Sequence, residues 1–560
     1  MTGSVGEMVS DEDAFAESLA RVRFLVNEEQ APPQPAGLPS DLAVYVALRR
    51  NGKRLTDAWS SVARTQDPLA SAIVCALKKL GVASHPDTAE IVFSYLFRPV
   101  DADKTGKVFN NLNRGRIGIQ LTSGDRVTRY APTRMIATNR SFRKIIETFS
   151  AQEVKKAGQR AKPVVIRRFE AACFLVPLAE GKPPVRLFRG NKVVPQDAVT
   201  ADTTAALARR MSDWMLANLD EKGRMTYKYW PSQGKESTAN NMIRQWMASV
   251  ALARIGRYFE DKDATARALL NIRYNLKKFC ARKENLEFIY FGDEANLGAA
   301  ALAALAIREH PEAGNLEQTE RRLRNTVEHL WHEDGSFTSF LIPPGENRNQ
   351  NFYPGEALVY LAGRYAEEAD PALLDRIKKS VAHYREWHLK NRNPAFVPWH
   401  VMAYETVWMQ TREAGLRDWI FEMSDWLCGL QVADSTTWPD IAGRFYDPER
   451  QHFGRPHSSA TGVYLEGMIA AWRVARDSGD TSRLERYRSS IVRGLRSLMQ
   501  LEFSDETDMF YISERGKVAG GLRTTVYNNE IRVDNVQHGL MAILQIMRDF
   551  SPADYRVPGT

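Results

Sequence analysis

The sequence predicts a multidomain chain: an N-terminal α+β domain followed by an all-α (α/α)6 toroid of six helical hairpins. Three observations predict it. Apolar periodicity is mixed up to about Val194 and helical from about Asp202 to the end. The helical part divides into twelve segments that pair, one charged and amphipathic, the other short and apolar on most faces. The apolar members open near residues 240, 294, 355, 399, 461 and 534, a supersecondary unit repeated often enough for a closed array.

The elements follow in order. Residues 1–41 read as a helical arm, Asp11 to Asn27, and a loose linker, "EEQAPPQPAGLPSD". Residues 42–194 read as an α+β accessory domain. "LAVYVALRRNGKR" alternates like a strand and turns at Asn51-Gly52. "DPLASAIVCALKKLG" is an amphipathic helix stopped by Gly81, "AEIVFSYLF" and "GRIGIQLTSGDRVTRYAP" are strands, and "NRSFRKIIETFSAQEVKKAG" is a helix. That order resembles the AMME-syndrome candidate protein domain over residues 42–150. The family's short Arg-Gly-Cys motif would fall at "KRLTDAW", where it is absent. Without that motif the region is expected to be an accessory or docking domain, with a protein partner bound through it.

Residues 195–560 carry the predicted toroid. Its helices span about 202–219, 240–257, 263–280, 294–309, 316–331, 355–368, 371–388, 398–413, 415–430, 461–477, 483–500 and 533–549. Phrases such as "LGAAALAALAI" are apolar all round and belong in an inner ring, where small residues allow close approach. "PALLDRIKKSVAHYREWHLK" belongs in the outer ring. "DEKGRMTYKYWP", "HEDGSFTSFLIPP" and "DETDMFYIS" read as turn-and-strand links between helices.

Composition bounds the function classes. With 560 residues, 44% hydrophobic and 26% charged, the chain can build a large core. No run of about 18 apolar residues predicts a membrane span. The start, "MTGSVGEMVSDEDAF", is acidic rather than signal-like. Cys75, Cys173, Cys280 and Cys428 make no C-x-x-C, which fits a reducing cytoplasm and no structural zinc. The net charge of +8 is dispersed; its densest stretch, Arg167 to Lys192, reads as solvated surface, and no nucleic-acid motif accompanies it.

If the inner helices run parallel, their N-termini form one polar mouth. Gathered there are Tyr229, Trp230, Asn241 and Arg244 from the first pair, and Asp293 and Glu294 from the second. The third supplies Tyr353 and Glu356, the fourth Trp399, His400, Tyr404 and Glu405. The fifth supplies Arg455, His457, Tyr464 and Glu466, the sixth Asp534, Gln537 and His538. An acidic residue at a helix start is ordinarily a cap or dipole partner, which is one reading of Asp293 and Asp534 beside a catalytic one. Glu405 and Glu466 fall a turn inside buried segments, so each is either paired in the core or turned to a watery cavity.

The terpenoid-cyclase acidic motifs, the lanthionine-cyclase zinc pattern, Gly-rich phosphate loops, H-E-x-x-H and G-x-S-x-G are all absent. With its aromatic and acidic mouths, the toroid resembles the six-hairpin glycosidase superfamily, which includes glycoside hydrolases, unsaturated-uronide hydrolases and N-acylglucosamine 2-epimerases. The resemblance implies a carbohydrate-active enzyme without metal or cofactor, acting on an acidic or amino-sugar saccharide. In a hydrolase two of Glu356, Glu405, Glu466, Asp293 and Asp534 act as the carboxylate pair, while Arg244, Arg455 and His457 hold substrate charge. In an epimerase His400 and His538 are the acid–base pair, although the family's His-Pro-Gly-His phrase is absent and "PWHVMAYETVW" is only loosely similar. A toroid used as a binding platform without catalysis is the third reading.

Overall fold

The computed structural model describes residues 15–35, 38, 41–60, 66–80, 85–157, 162–433, 437–445 and 458–557. The N-terminal region is built on one antiparallel sheet. Its strands are β1 (Ala43–Arg50), β2 (Lys53–Trp59), β3 (Thr88–Pro99), β4 (Gly118–Ser123), β5 (Arg126–Tyr130), β6 (Val165–Pro177) and β7 (Val185–Leu187). The order is β2-β1-β3-β6-β4-β5, with β7 also pairing β6. Asn51 and Gly52 take left-handed φ of 48° and 75° and close the β1–β2 hairpin, as the Asn-Gly pair predicts. β6 overlaps the start of the Arg167–Lys192 stretch, which reads from sequence as solvated basic surface. Its alternation is masked by Arg167 and Arg168, which pair across to Gln120 and Ile119 of β4. Gly81 of the predicted helix stop and residues 11–14 of the arm lie outside the described residues.

Successive residues of a strand face opposite sides. Val44, Val46 and Leu48 join a core with the helix Pro68–Leu77 and with Phe15, Leu19 and Val22. Tyr45 and Ala47 join the large core that continues into the helical part. The junction is also polar. Arg189 is ion-paired with Asp440 at 2.6 Å, both fully buried, and Asn529 donates to the Ile136 carbonyl at 2.9 Å.

Twelve helices follow among the described residues. Six form a closed inner ring: Met242–Tyr258, Leu297–Glu309, Tyr353–Glu368, Phe396–Thr411, Ser458–Ser478 and Val533–Asp549. Each packs on the next, and the sixth returns to the first. The outer helices are Ala201–Ala217, Lys262–Phe279, Glu317–His329, Pro371–Lys390, Ala414–Cys428 and Thr481–Leu501. Small residues explain the tight ring. A Cβ on Gly355 would lie 2.5 Å from that of Trp399, and one on Gly462 2.5 Å from the backbone of Gly539.

One device recurs in four of the links. Bridges Leu219–Met225, Trp331–Phe337, Gln431–Phe445 and Glu502–Leu522 each enclose a left-handed glycine: Gly223, Gly335, Gly443 and Gly520. Each presses on an outer helix backbone; a Cβ on Gly443, for example, would meet the Arg493 carbonyl at 1.9 Å. Among the turn-and-strand phrases, "DETDMFYIS" forms turns rather than a strand.

Candidate functional site

The inner helices run parallel. At their N-terminal end Arg244 of the first pairs with Asp534 of the sixth at 2.7 Å. At the other end Arg254 pairs with Glu309 at 2.6 Å and Arg473 with Asp549 at 3.2 Å. Two short sheets ring the N-terminal end. One comprises β10 (Cys280–Lys283), β11 (Leu286–Phe291), β12 (Glu294–Asn296) and β13 (Phe340–Ile342); the other comprises β8 (Lys228–Trp230), β9 (Lys235–Glu236), β14 (Arg523–Thr525) and β15 (Asn528–Arg532).

A cavity of about 290 Å3 lies at this end, lined by Asn240, Asn241, Ile243, Phe291, Glu294, Asn296 and Tyr353 among others. It joins the mouths of the first three inner helices. Asn241 and Asn296 cap the first two, accepting from the Arg244 and Ala299 amides. Glu294 is ion-paired with Arg348 of the loop before the third inner helix. The Tyr353 hydroxyl accepts from Asn349 at 3.2 Å.

Glu356 lies against the inner side of this wall. A Cβ on Gly298 would come within 2.0 Å of Glu356 Oε2, 2.8 Å of the Tyr353 ring and 2.9 Å of Ile243. Three side chains therefore crowd the space that Gly298 leaves empty, and two of them line the cavity. Glu356 is 1% exposed, and its Oε2 has no hydrogen-bond partner. Burial pushes its carboxyl up to about 8. Tyr353 stands between two carboxylates: burial first, then Glu356 and Glu294, push its hydroxyl up to about 12.

A second cluster crosses the ring interior. Trp399 of the fourth helix meets the His538 ring of the sixth edge-on at 5.7 Å. Arg254 of the first comes within 3.9 Å of Glu466 of the fifth. Neither pair joins ring neighbours, so these side chains point to the axis. His538 Nδ1 and Glu466 Oε1 share a hydrogen bond of 2.8 Å. The second Glu466 oxygen has no hydrogen-bond partner, nor has either amide atom of the buried Gln537.

The remaining sequence candidates fall elsewhere. Asp293 is neither cap nor cavity residue: it has φ 63° in the β11–β12 turn, and its carboxylate accepts from the Tyr290 hydroxyl at 3.1 Å. Asp534 does lie at the mouth, in the first turn of the sixth inner helix where a dipole partner is expected, and it pairs with Arg244 and Arg532. Glu405, taken for a mouth residue, sits in the C-terminal half of its helix. There it pairs with Arg473 at 2.8 Å, which corrects the placement to a core ion pair.

His400 lies within its helix, as the predicted span 398–413 has it. Its Nδ1 bonds the Tyr404 hydroxyl at 2.8 Å, and its ring stacks on Phe396 and lies near Tyr384 of an outer helix. Burial holds it well below the usual histidine range. It faces outward from the ring and does not meet His538. Tyr229 and Trp230 donate to Glu514 and Glu530 at 3.3 and 3.0 Å, and Tyr464 packs on Phe445. Arg455 and His457 lie outside the described residues.

Sequence reasoning did not single out Arg348, Gly298 or Arg254. Gly298, set in an Ala-rich helix, was the one with a visible signal. A larger cleft of about 630 Å3 lies between Gln196–Asp202 and Pro552–Val557. It follows the C-terminus of the sixth inner helix, away from the mouths.

No family model and no curated protein matches the chain. Solved structures with a similar fold include the unsaturated glucuronyl hydrolase of Streptococcus agalactiae, at 12% identity over 63% of this chain and 94% of that one, TM-score 0.45. A D-mannose isomerase matches at 10% identity over 62% and 98%, TM-score 0.48. The cellobiose 2-epimerase of Bacillus thermoamylovorans matches at 12% over 62% and 99%, TM-score 0.47. The chain itself forms a closed ring of six inner helices with six outer ones; at these scores the three structures carry no argument about family or activity.

Proposed function

We propose that the chain is a carbohydrate-active enzyme whose site is the cavity at the first three inner-helix mouths, and that it hydrolyses glycosidic bonds. One observation carries the reading: Glu356 and Glu294 flank Tyr353, one buried, unpartnered and raised to about 8, the other at the cavity surface in an ion pair. Two carboxylates in opposed environments are the chemistry of glycoside cleavage. Glu356, protonated at neutral pH, donates to the leaving oxygen. Glu294 activates water or attacks the anomeric carbon once Arg348 releases it.

The lining favours a hydroxyl-rich or amino sugar over a uronide. Asn240, Asn241 and Asn296 offer amides, and Glu294 offers a carboxylate to an amine. Arg244, the predicted holder of substrate charge, is spent on Asp534 and the Tyr227 hydroxyl. Turnover of amino-sugar and neutral glycosides by the wild type and Glu356→Gln tests the reading. No turnover of either by the wild type overturns it.

A further inference from the structure

The cavity does not end at its own wall. Phe291 lines it yet is 40% exposed, and Phe352, equally exposed, immediately precedes Tyr353 on the other side. We propose that the cavity is the inner end of a longer surface that takes an oligosaccharide, with Phe291 as the stacking platform for the sugar unit outside it. This rests on the saccharide reading above.

Four observations support it. Phe291 is held in place: the Phe279 ring meets it edge-on at 5.7 Å. It is the cross-strand partner of Glu294 across a two-residue turn, Gly292 and Asp293, both with positive φ. That turn fixes the ring beside the carboxylate. The exposed Phe291 ring stands among Asn240, Asn241, Asn296 and Glu294, whereas a protein-docking patch is contiguous and apolar. A sugar ring presents C–H groups on its face and hydroxyls on its edge, and so suits an aromatic ring bordered by amides. The volume is the last: about 290 Å3 is at the small end of ligand pockets, so a chain of several units must continue onto the rim.

The test is calorimetric binding of glucosamine and its oligomers of two to four units to the full chain. Wild-type affinity should rise with length. Phe291→Ala should flatten the series, weakening the longest oligomer by about three- to tenfold and the single sugar little, on the scale of an aromatic contact. Phe291→Trp should keep the length dependence, which separates stacking from a folding defect. Monomer and oligomers bound alike by the wild type, or weakened alike by Phe291→Ala, overturn this proposal and leave the saccharide reading standing. No member bound by the wild type overturns both.

Discussion

Glu356 Oε2 occupies the space that the absent side chain of Gly298 leaves, 2.0 Å from where a Cβ would stand. Neighbouring inner helices are thus keyed to each other by a carboxylate and a glycine. Gly298→Ala must push the carboxylate, the Tyr353 ring or the helix aside. Overpacking of this kind costs about 1–3 kcal/mol. Denaturant unfolding should show that loss, and the variant should also lose turnover because the proposed proton donor has moved. An alanine variant of wild-type stability would mean the carboxylate has room elsewhere.

Burial raises Glu356 from its ordinary 4.5 to about 8. The folded state therefore holds a proton that the unfolded chain releases, so stability falls as pH rises between these two values. Melting temperature followed from pH 5 to 9 should decline more steeply in the wild type than in Glu356→Gln. The acid-catalysed rate should likewise fall above about pH 8. Parallel melting profiles would place the wild-type carboxylate in water.

Glu405 and Arg473 form a nearly buried pair on the half of the ring opposite the mouths. Glu405→Gln leaves the guanidinium short of a carboxylate, a change that costs about 3–5 kcal/mol where a buried charge loses its partner. Asp549, 3.2 Å from Arg473, softens that loss. Chemical denaturation should show a large drop in stability, with turnover per folded molecule near wild type.

The sheet face carrying Tyr45 and Ala47 shares a core with the toroid. A fragment starting near Val194 exposes the other half of that core and leaves Asp440 without Arg189. Such a fragment should aggregate or melt well below the full chain in a thermal scan. A soluble, fully stable fragment would show that the sheet contributes no stability.

Much of the ring was legible because an inner helix must be apolar on every side. "LGAAALAALAI" and its five counterparts announce themselves, and all six starts fall at inner helices in the structure. The cap residues Asn241 and Asn296 were legible by the same local logic. Long-range pairing was not. Arg473 lies 68 residues from Glu405 and Glu466 lies 72 from His538, so nothing local separates a core ion pair from a cavity carboxylate. His400 misled because its helix begins at Phe396 and turns the ring outward. Strand β6 was hidden by arginines whose stems cover a sheet while their heads reach solvent.

Glu356 is proposed as the proton donor at a saccharide site. Glu356→Gln keeps the volume and removes the acid. Single-turnover kinetics on an amino-sugar glycoside, with melting temperature measured on the same preparation, tests it most directly. Near-native melting at pH 7 and turnover reduced by about 100-fold or more are expected. Unchanged turnover in a well-folded Glu356→Gln protein would contradict it.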